Sequence, residues 1–299
     1  MTELPGSGRQ RLLALLADQA TREGFSPAPL AGVRYVRATH DYPRAPALYD
    51  PCIMLLASGR KRAHLGGAVH VLDPGHYWVV SVPLPFACET EASPEAPLLG
   101  LSVDVDGAML GELLLGMDEG GQAPGPIPAG MCATPLSDAL VDAAVRLLDC
   151  LASPLDARIL GPGIVREIVY RVLRGGQGAA LRALAAQNGH LRPIARALKR
   201  IQTAFDTNLD VEVLAREAHM GLSTFHHAFR AVTATSPLQY LKTVRLHQAR
   251  RLLAEAGATA GEAAVRVGYA STSQFSREYK RLFGLPPSED AQRLRTAEG

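Results

Sequence analysis

The chain has 299 residues, long enough for two domains, and 47% of them are apolar, so both can hold a core. Its formal charge of +2 excludes a polyelectrolyte, and its N-terminal apolar run, residues 12–17, breaks at Asp18 and Gln19. Six residues are too few for a membrane span, and no cleavage-like site follows, so a cytoplasmic protein without a membrane partner is expected.

That first run reads as a small amphipathic helix. From Val33 to Val105 the pattern turns to β: VRYVRAT, CIMLLAS, RKRAHL, AVHVL, HYWVVS, PFACET and LLGLSVDV recur between turn signals. Gly66-Gly67 marks a hairpin and Asp73-Pro74-Gly75 a turn. Short strands at such spacing predict a sandwich or barrel, able to hold one small ligand. Trp78, the sole tryptophan, reads first as core, and as a pocket wall together with Tyr49 and Phe86. His40, His64, His70 and His76 include no H-x-H pair, although His64 and His70 fall on neighbouring hairpin strands. No bound metal, cofactor or catalytic residue is expected. Arg60, Lys61 and Arg62 read as a solvated hairpin face in preference to an anion site. Cys52, Cys88, Cys132 and Cys150 lack C-x-x-C spacing and read as free thiols; Cys52 and Cys88 are expected to be structural.

A Gly/Pro-rich stretch, residues 116–130, closes the barrel. Helices are predicted across about 136–174. Leu136, Leu140, Ala144, Leu147 and Leu151 share one face of the first. Ile164, Ile168 and Val172 share one face of the second, either to pack on the barrel or to form a dimer interface. Gly175, Gly176 and Gly178 then loosen the chain, Leu181, Leu184 and Ala185 mark a further helix, and the boundary is expected near Gln187–Gly189. The domains are thus 1–187 and 188–299.

The last third carries one pattern twice, as LAREAHMGLSTFHHAFR and AAVRVGYASTSQFSREYK. Phe275 falls 50 residues after Phe225, Tyr279 after Phe229, Lys280 after Arg230 and Pro287 after Pro237. Each copy is a short helix, a turn expected to have three residues, and a helix rich in short polar and basic side chains, the layout of a helix-turn-helix. Thr259 with Glu262 and Ser271 with Gln274 are capping boxes that start helices at Ala260 and Thr272. Ser236 and Pro237 start a helix running to Ala256, with Leu238, Leu241, Ala249 and Leu252 as its apolar stripe. About 20 residues span roughly 30 Å, close to one DNA turn of roughly 34 Å. Residues 191–299 hold 16 Lys and Arg against 10 Asp and Glu, a net +6, while residues 1–190 carry −4. A basic domain beside an acidic one fits phosphate neutralisation by the former.

The segment from about Pro193 to Pro287, above all VGYASTSQFSREYKRLFG with RLHQARRLL, resembles the DNA-binding domain of the AraC/XylS family of bacterial transcription regulators. The resemblance implies seven helices with two helix-turn-helix units joined by a long helix. It assigns base-facing roles to Ser223, Thr224, His226 and His227, and to Thr272, Ser273, Gln274 and Arg277; Arg230, Lys280 and Arg281 complete the expected DNA-binding set. Two departures stand out: Gly221 replaces the usual capping serine, and SED follows Pro287 where a tyrosine and an arginine are usual. The segment YDPCIMLLASGRKRAHLGG with DPGHYWVVSVPLPFACETEASPEAPLLGLSVDVD resembles a sensor type of such regulators and implies a cupin-like effector barrel. The fold class is therefore α+β, with an N-terminal cupin-like barrel and flanking helices and a C-terminal all-α domain. The expected function is effector-responsive regulation of transcription at double-stranded DNA, not enzymatic catalysis. RNA polymerase, reached by Lys242 and its neighbours, and a second copy of the chain are the other partners considered. The alternatives are a constitutive regulator whose barrel only dimerises, and a metal-dependent cupin enzyme fused to a DNA-binding domain.

Overall fold

The computed structural model describes residues 6–117, 133–185, 191–255 and 257–297. The chain divides into two compact units, one comprising Met1–Arg44 and Tyr49–Arg192, the other dominated by Pro193–Gly299. The boundary expected at 187–189, most of the Gly/Pro-rich stretch and Cys132 lie outside the described residues.

In the first unit, helix α1 (Ser7–Gln19) precedes strands β1 (Gly24–Pro27), β2 (Val33–Ala38), β3 (Tyr42–Tyr49), β4 (Cys52–Ser58), β5 (Arg60–Leu65), β6 (Ala68–Leu72), β7 (His76–Val80), β8 (Leu84–Glu91) and β9 (Leu98–Asp104). Then come α2 (Gly107–Gly116), β10 (Ala133–Pro135), α3 (Asp138–Leu151), α4 (Pro154–Ile159), α5 (Gly161–Arg174) and α6 (Gly178–Ala185). Two sheets form, in the orders β1-β2-β9-β4-β7-β10 and β3-β8-β5-β6. The β4–β5 segment passes from one sheet to the other through Gly59. There φ is +74° and a Cβ would stand 2.5 Å from Leu98 Cα, so only glycine fits.

Alternation explains the layers. Ile53, Leu55, Tyr77, Val79, Leu101 and Val103 point to one face of the larger sheet, where Leu12 and Leu16 of α1, Leu140, Ala144, Leu147 and Leu151 of α3, and Ile168 and Val172 of α5 cover them. Met54, Leu56, Trp78 and Ser102 are buried on the other face. A strand buried on both faces needs a continuous apolar run, which CIMLLA of β4 supplies. The α5 stripe expected at a dimer interface is thus consumed within the unit: Ile168 and Val172 are fully buried in this core. Among the exposed apolar side chains of this unit, three cluster in sequence around α4: Leu155, Ile159 and Leu160.

The second unit is all-α: α7 (Leu191–Thr203), α8 (Val211–Glu217), α9 (Leu222–Thr233), α10 (Pro237–Glu255), α11 (Ala260–Arg266), α12 (Thr272–Phe283) and α13 (Pro287–Ala297). These are the seven helices that the resemblance implied. Helix α10 packs against α9, α11, α12 and α13. Its buried residues include Tyr240, Leu241, Val244, Leu246, Ala249 and Leu253, whereas Leu238, assigned to the apolar stripe from sequence, is exposed. The two motif copies place matching rings in the core: Phe225 and Phe229 lie 5.6 Å apart, as do Phe275 and Tyr279.

Candidate nucleic-acid interface

The two helix-turn-helix units start by different means. Asp210 caps α8 through the Glu212 amide, and Thr259 caps α11 with Glu262 in a reciprocal capping box. Ser271 accepts from the Gln274 amide at the start of α12, but Gly221 offers α9 no side-chain cap. The loss of a capping hydroxyl costs only a few tenths of a kcal/mol when glycine replaces it, so α9 still forms. The turns, 218–221 and 267–271, are longer than the three residues expected, because they include the helix-capping positions. Their repeats differ by one residue. The amides of His219 and Met220 accept the roles that Gly268 and Tyr269 play in the second copy, donating to equivalent carbonyls at the end of the first helix. The first helices therefore match at 49 residues and the second helices at 50. His219 takes a left-handed φ of 54°, where the second copy uses Gly268 at +82°.

Every expected DNA-facing residue is exposed. Ser223, Thr224, His226, His227 and Arg230 line the outer face of α9; Thr272, Ser273, Gln274, Arg277, Lys280 and Arg281 line that of α12. Phe225, Ala228 and Phe229 of α9, with Phe275 and Tyr279 of α12, anchor the opposite faces. Each helix therefore presents short hydrogen-bonding side chains near its N-terminus and cations toward its C-terminus, the disposition that suits base edges and flanking phosphates.

Several charges are structural, and no sequence motif marks them as such. Glu278, half-buried on α12, accepts from Lys242 Nζ at 2.7 Å, Tyr269 Oη at 2.8 Å and Gln274 Nε2 at 3.1 Å. Against the burial that favours its neutral form, these donors hold its carboxyl below the ordinary value. Lys242 thus ties α10 to α12 and is not a free surface cation. Arg245 of α10 donates to the carbonyls of Phe205 at 2.7 Å and Thr207 at 2.9 Å. Asp290 of α13, 1% exposed, accepts Arg250 Nε at 2.8 Å and Nη2 at 3.2 Å, and Tyr279 Oη at 2.8 Å. The SED departure places that carboxylate where it locks α13 to α10 and α12.

In the first unit, Tyr49 and Phe86 meet edge to face at 4.8 Å, and Phe25 adds a second edge contact to Tyr49 at 5.4 Å. Trp78 is fully buried on β7, and no ring contact joins it to Tyr49 or Phe86 among the described residues. His64 and His70 do not converge: His64 is registered against Val69 and His70 against Ala63, which puts them on opposite faces of the hairpin. Burial pushes the Cys52 thiol up to about 12 and raises that of Cys88, so neither is a ready thiolate.

Residues 29–180 match the family described as the AraC-type transcriptional regulator N-terminus, and residues 214–293 match a helix-turn-helix domain. The virulence regulon transcriptional activator VirF of Yersinia enterocolitica is 29% identical over 125 residues, 42% of this chain and 46% of VirF. The RCS-specific transcriptional activator RclR of Escherichia coli is 39% identical over 85 residues, 28% of this chain and 30% of RclR. The chain thus spans less than half of either relative. Among solved structures, the apo form of a lysine-to-alanine variant of ToxT from Vibrio cholerae superposes with a TM-score of 0.60 at 10% identity, covering 91% of this chain and all of that one. ToxT bound to (E)-4-(8-methylnaphthalen-1-yl)but-3-enoic acid gives 0.59 at 12% identity, with the same coverage.

Proposed function

The chain belongs to the family of AraC-type transcriptional regulators, and from that membership we propose that it is a sequence-specific, effector-responsive reader of double-stranded DNA that acts in the cytoplasm and is not an enzyme. The observation that carries the DNA reading is the pair of helices α9 and α12, each fixed by buried aromatics on one face and offering mainly polar and basic side chains on the other, with Leu222 exposed at the start of α9. The effector reading is supported by the N-terminal barrel and by the acid that ToxT is described as binding. None of the described helices is long and apolar enough to cross a membrane.

Arg277 is the one long cation among the base-facing positions, and arginine pairs bidentately with guanine. Arg277→Ala should cost about 1–3 kcal/mol on a duplex selected from a random library and relax preference at one base pair. Arg281→Ala should weaken selected and random duplexes alike. Unchanged affinity of Arg277→Ala in a binding titration removes α12 from the groove.

RNA polymerase remains a proposed partner, through exposed α10 positions such as Leu238 rather than through Lys242. A homodimer is proposed through Leu155, Ile159 and Leu160, in place of the buried α5 stripe. Sedimentation should show Ile159→Glu shifted toward monomer with its fold intact; an unchanged distribution rules α4 out.

A further inference from the structure

The Arg60-Lys61-Arg62 run does not behave as one solvated face. Arg60 pairs with Asp73 at 2.5 Å, and Arg62 pairs with Glu91. Lys61, between them, turns the other way. It is 7% exposed and shares its face of β5 with fully buried Ala63. Across the sheet it is registered against Leu72 on one side and Thr90 on the other, both buried.

Its ammonium has three donor hydrogens. One bonds Thr90 Oγ1 at 3.1 Å, and Nζ lies 5.9 Å from the centroid of the Phe25 ring. No carboxylate pairs with it among the described residues. Cys88 beside it, and Tyr49, which packs on Phe25, are uncharged: burial first, then the proximity of Cys88, raises the Tyr49 hydroxyl well above its usual range, and burial raises the Cys88 thiol, while Arg34, the other cation over the Phe25 ring, is paired with Asp104. Burial likewise lowers the Lys61 value. A buried, uncompensated ammonium is among the most costly groups a protein can hold. Replacing it with an apolar residue would relieve that cost, so a role outside folding is implied.

We propose that Lys61 is the anion receptor of the N-terminal barrel, and that it binds the carboxylate of a small organic acid whose apolar part lies against Phe25, Tyr49 and Phe86. The proposal rests on the effector reading above and names the chemistry of that site. One buried cation matches one negative charge. Among the described residues two further N–H donors of Lys61 have no partner and remain for the carboxylate oxygens. Phe25, on edge strand β1, is 39% exposed while Lys61 beneath it is not, which places an approach to the ammonium at that edge.

The test uses the full chain and a series of carboxylates, from acetate to decanoate with benzoate, each beside its neutral primary amide. Melting temperature and Trp78 emission are the readouts, since Trp78 is the sole tryptophan. At least one carboxylate should bind saturably and at least tenfold more tightly than its amide. Lys61→Met should abolish that preference while leaving the melting temperature of the free protein equal or higher. Three results overturn the proposal: no carboxylate binds at millimolar concentration, amides bind as well as acids, or Lys61→Met lowers the free protein's melting temperature and so marks the lysine as structural. Operator affinity separates this inference from the reading beneath it. Acids bound through Lys61 that leave DNA affinity unchanged defeat effector control and spare the receptor. Neutral compounds that alter DNA affinity equally in wild type and Lys61→Met do the reverse.

Discussion

At the scale of single residues, burial decides which charges are free to act. His247 sits on α10 with its Nε2 buried and without a partner among the described residues, and its ring edge-on to Phe283 at 5.2 Å. Burial, with a smaller contribution from the Arg250 guanidinium, lowers it to about 4 from an ordinary 6.5. The unfolded chain therefore binds the proton first. Stability from the neutral ring is fully present above pH 6.5 and is lost as pH falls toward and through 4. The full effect is at most about 3 kcal/mol. Urea unfolding of the chain should lose that stability across this window, and His247→Leu should flatten the acid limb. An unchanged limb shows that the ring is already charged or hydrated in the folded state. Lys61 makes the same point from the sequence side. In RKRAHL the alternation puts Lys61 on the face of Ala63 and Leu65, so its inward direction was legible. Three adjacent cations look like a solvated run, but strand alternation turns Lys61 away from Arg60 and Arg62.

At the scale of elements, capping and aromatic spacing made the C-terminal unit readable. Helices α11 and α12 begin at the residues that the Thr259 and Ser271 caps predict. The first copy was harder, because Gly221 lacks a hydroxyl and His219 adopts a left-handed turn without being glycine. In the first unit, strands with alternating or fully apolar runs were legible. Strand β3 was not: YPRAPALY contains two prolines, which suit only an edge strand, and β3 is an edge of its sheet. The α5 stripe was seen correctly as apolar, but periodicity does not say what covers a face. The tail after Pro287 gives the sharpest element-scale prediction. Asp290→Ala should remove the carboxylate that joins α13 to α10 and α12, and strand Arg250 beside the Phe283 ring. Arg250 retains some contact with solvent, so the cost should be about 2–3 kcal/mol, below the 3–5 kcal/mol typical of a broken, fully buried pair. Thermal unfolding checks it, and a change below about 0.5 kcal/mol would show that α13 is held by packing alone.

At the scale of the whole molecule, the charge divides along the chain, +6 on residues 191–299 and −4 on residues 1–190. Counterion release makes DNA affinity fall steeply with salt, so that division concentrates the salt sensitivity in the C-terminal unit. Helix α10 carries a further consequence. It is held to α12 through Lys242 and Glu278, to α13 through Arg250 and Asp290, and to the segment after α7 through Arg245. A helix fixed at so many points acts as a gauge of set length between two readers, about 28 Å for its 19 residues. The gauge is then written into the target sequence as phase. One base pair inserted between the two contacted submotifs would advance the second by about 3.4 Å and turn it by about 34° around the duplex. A reader with a rigid α10 cannot follow both displacements, so affinity should drop to the non-specific level with either half of the operator intact. A flexible tether would have tolerated the insertion, and a protein that does so has its α10 anchors released on DNA.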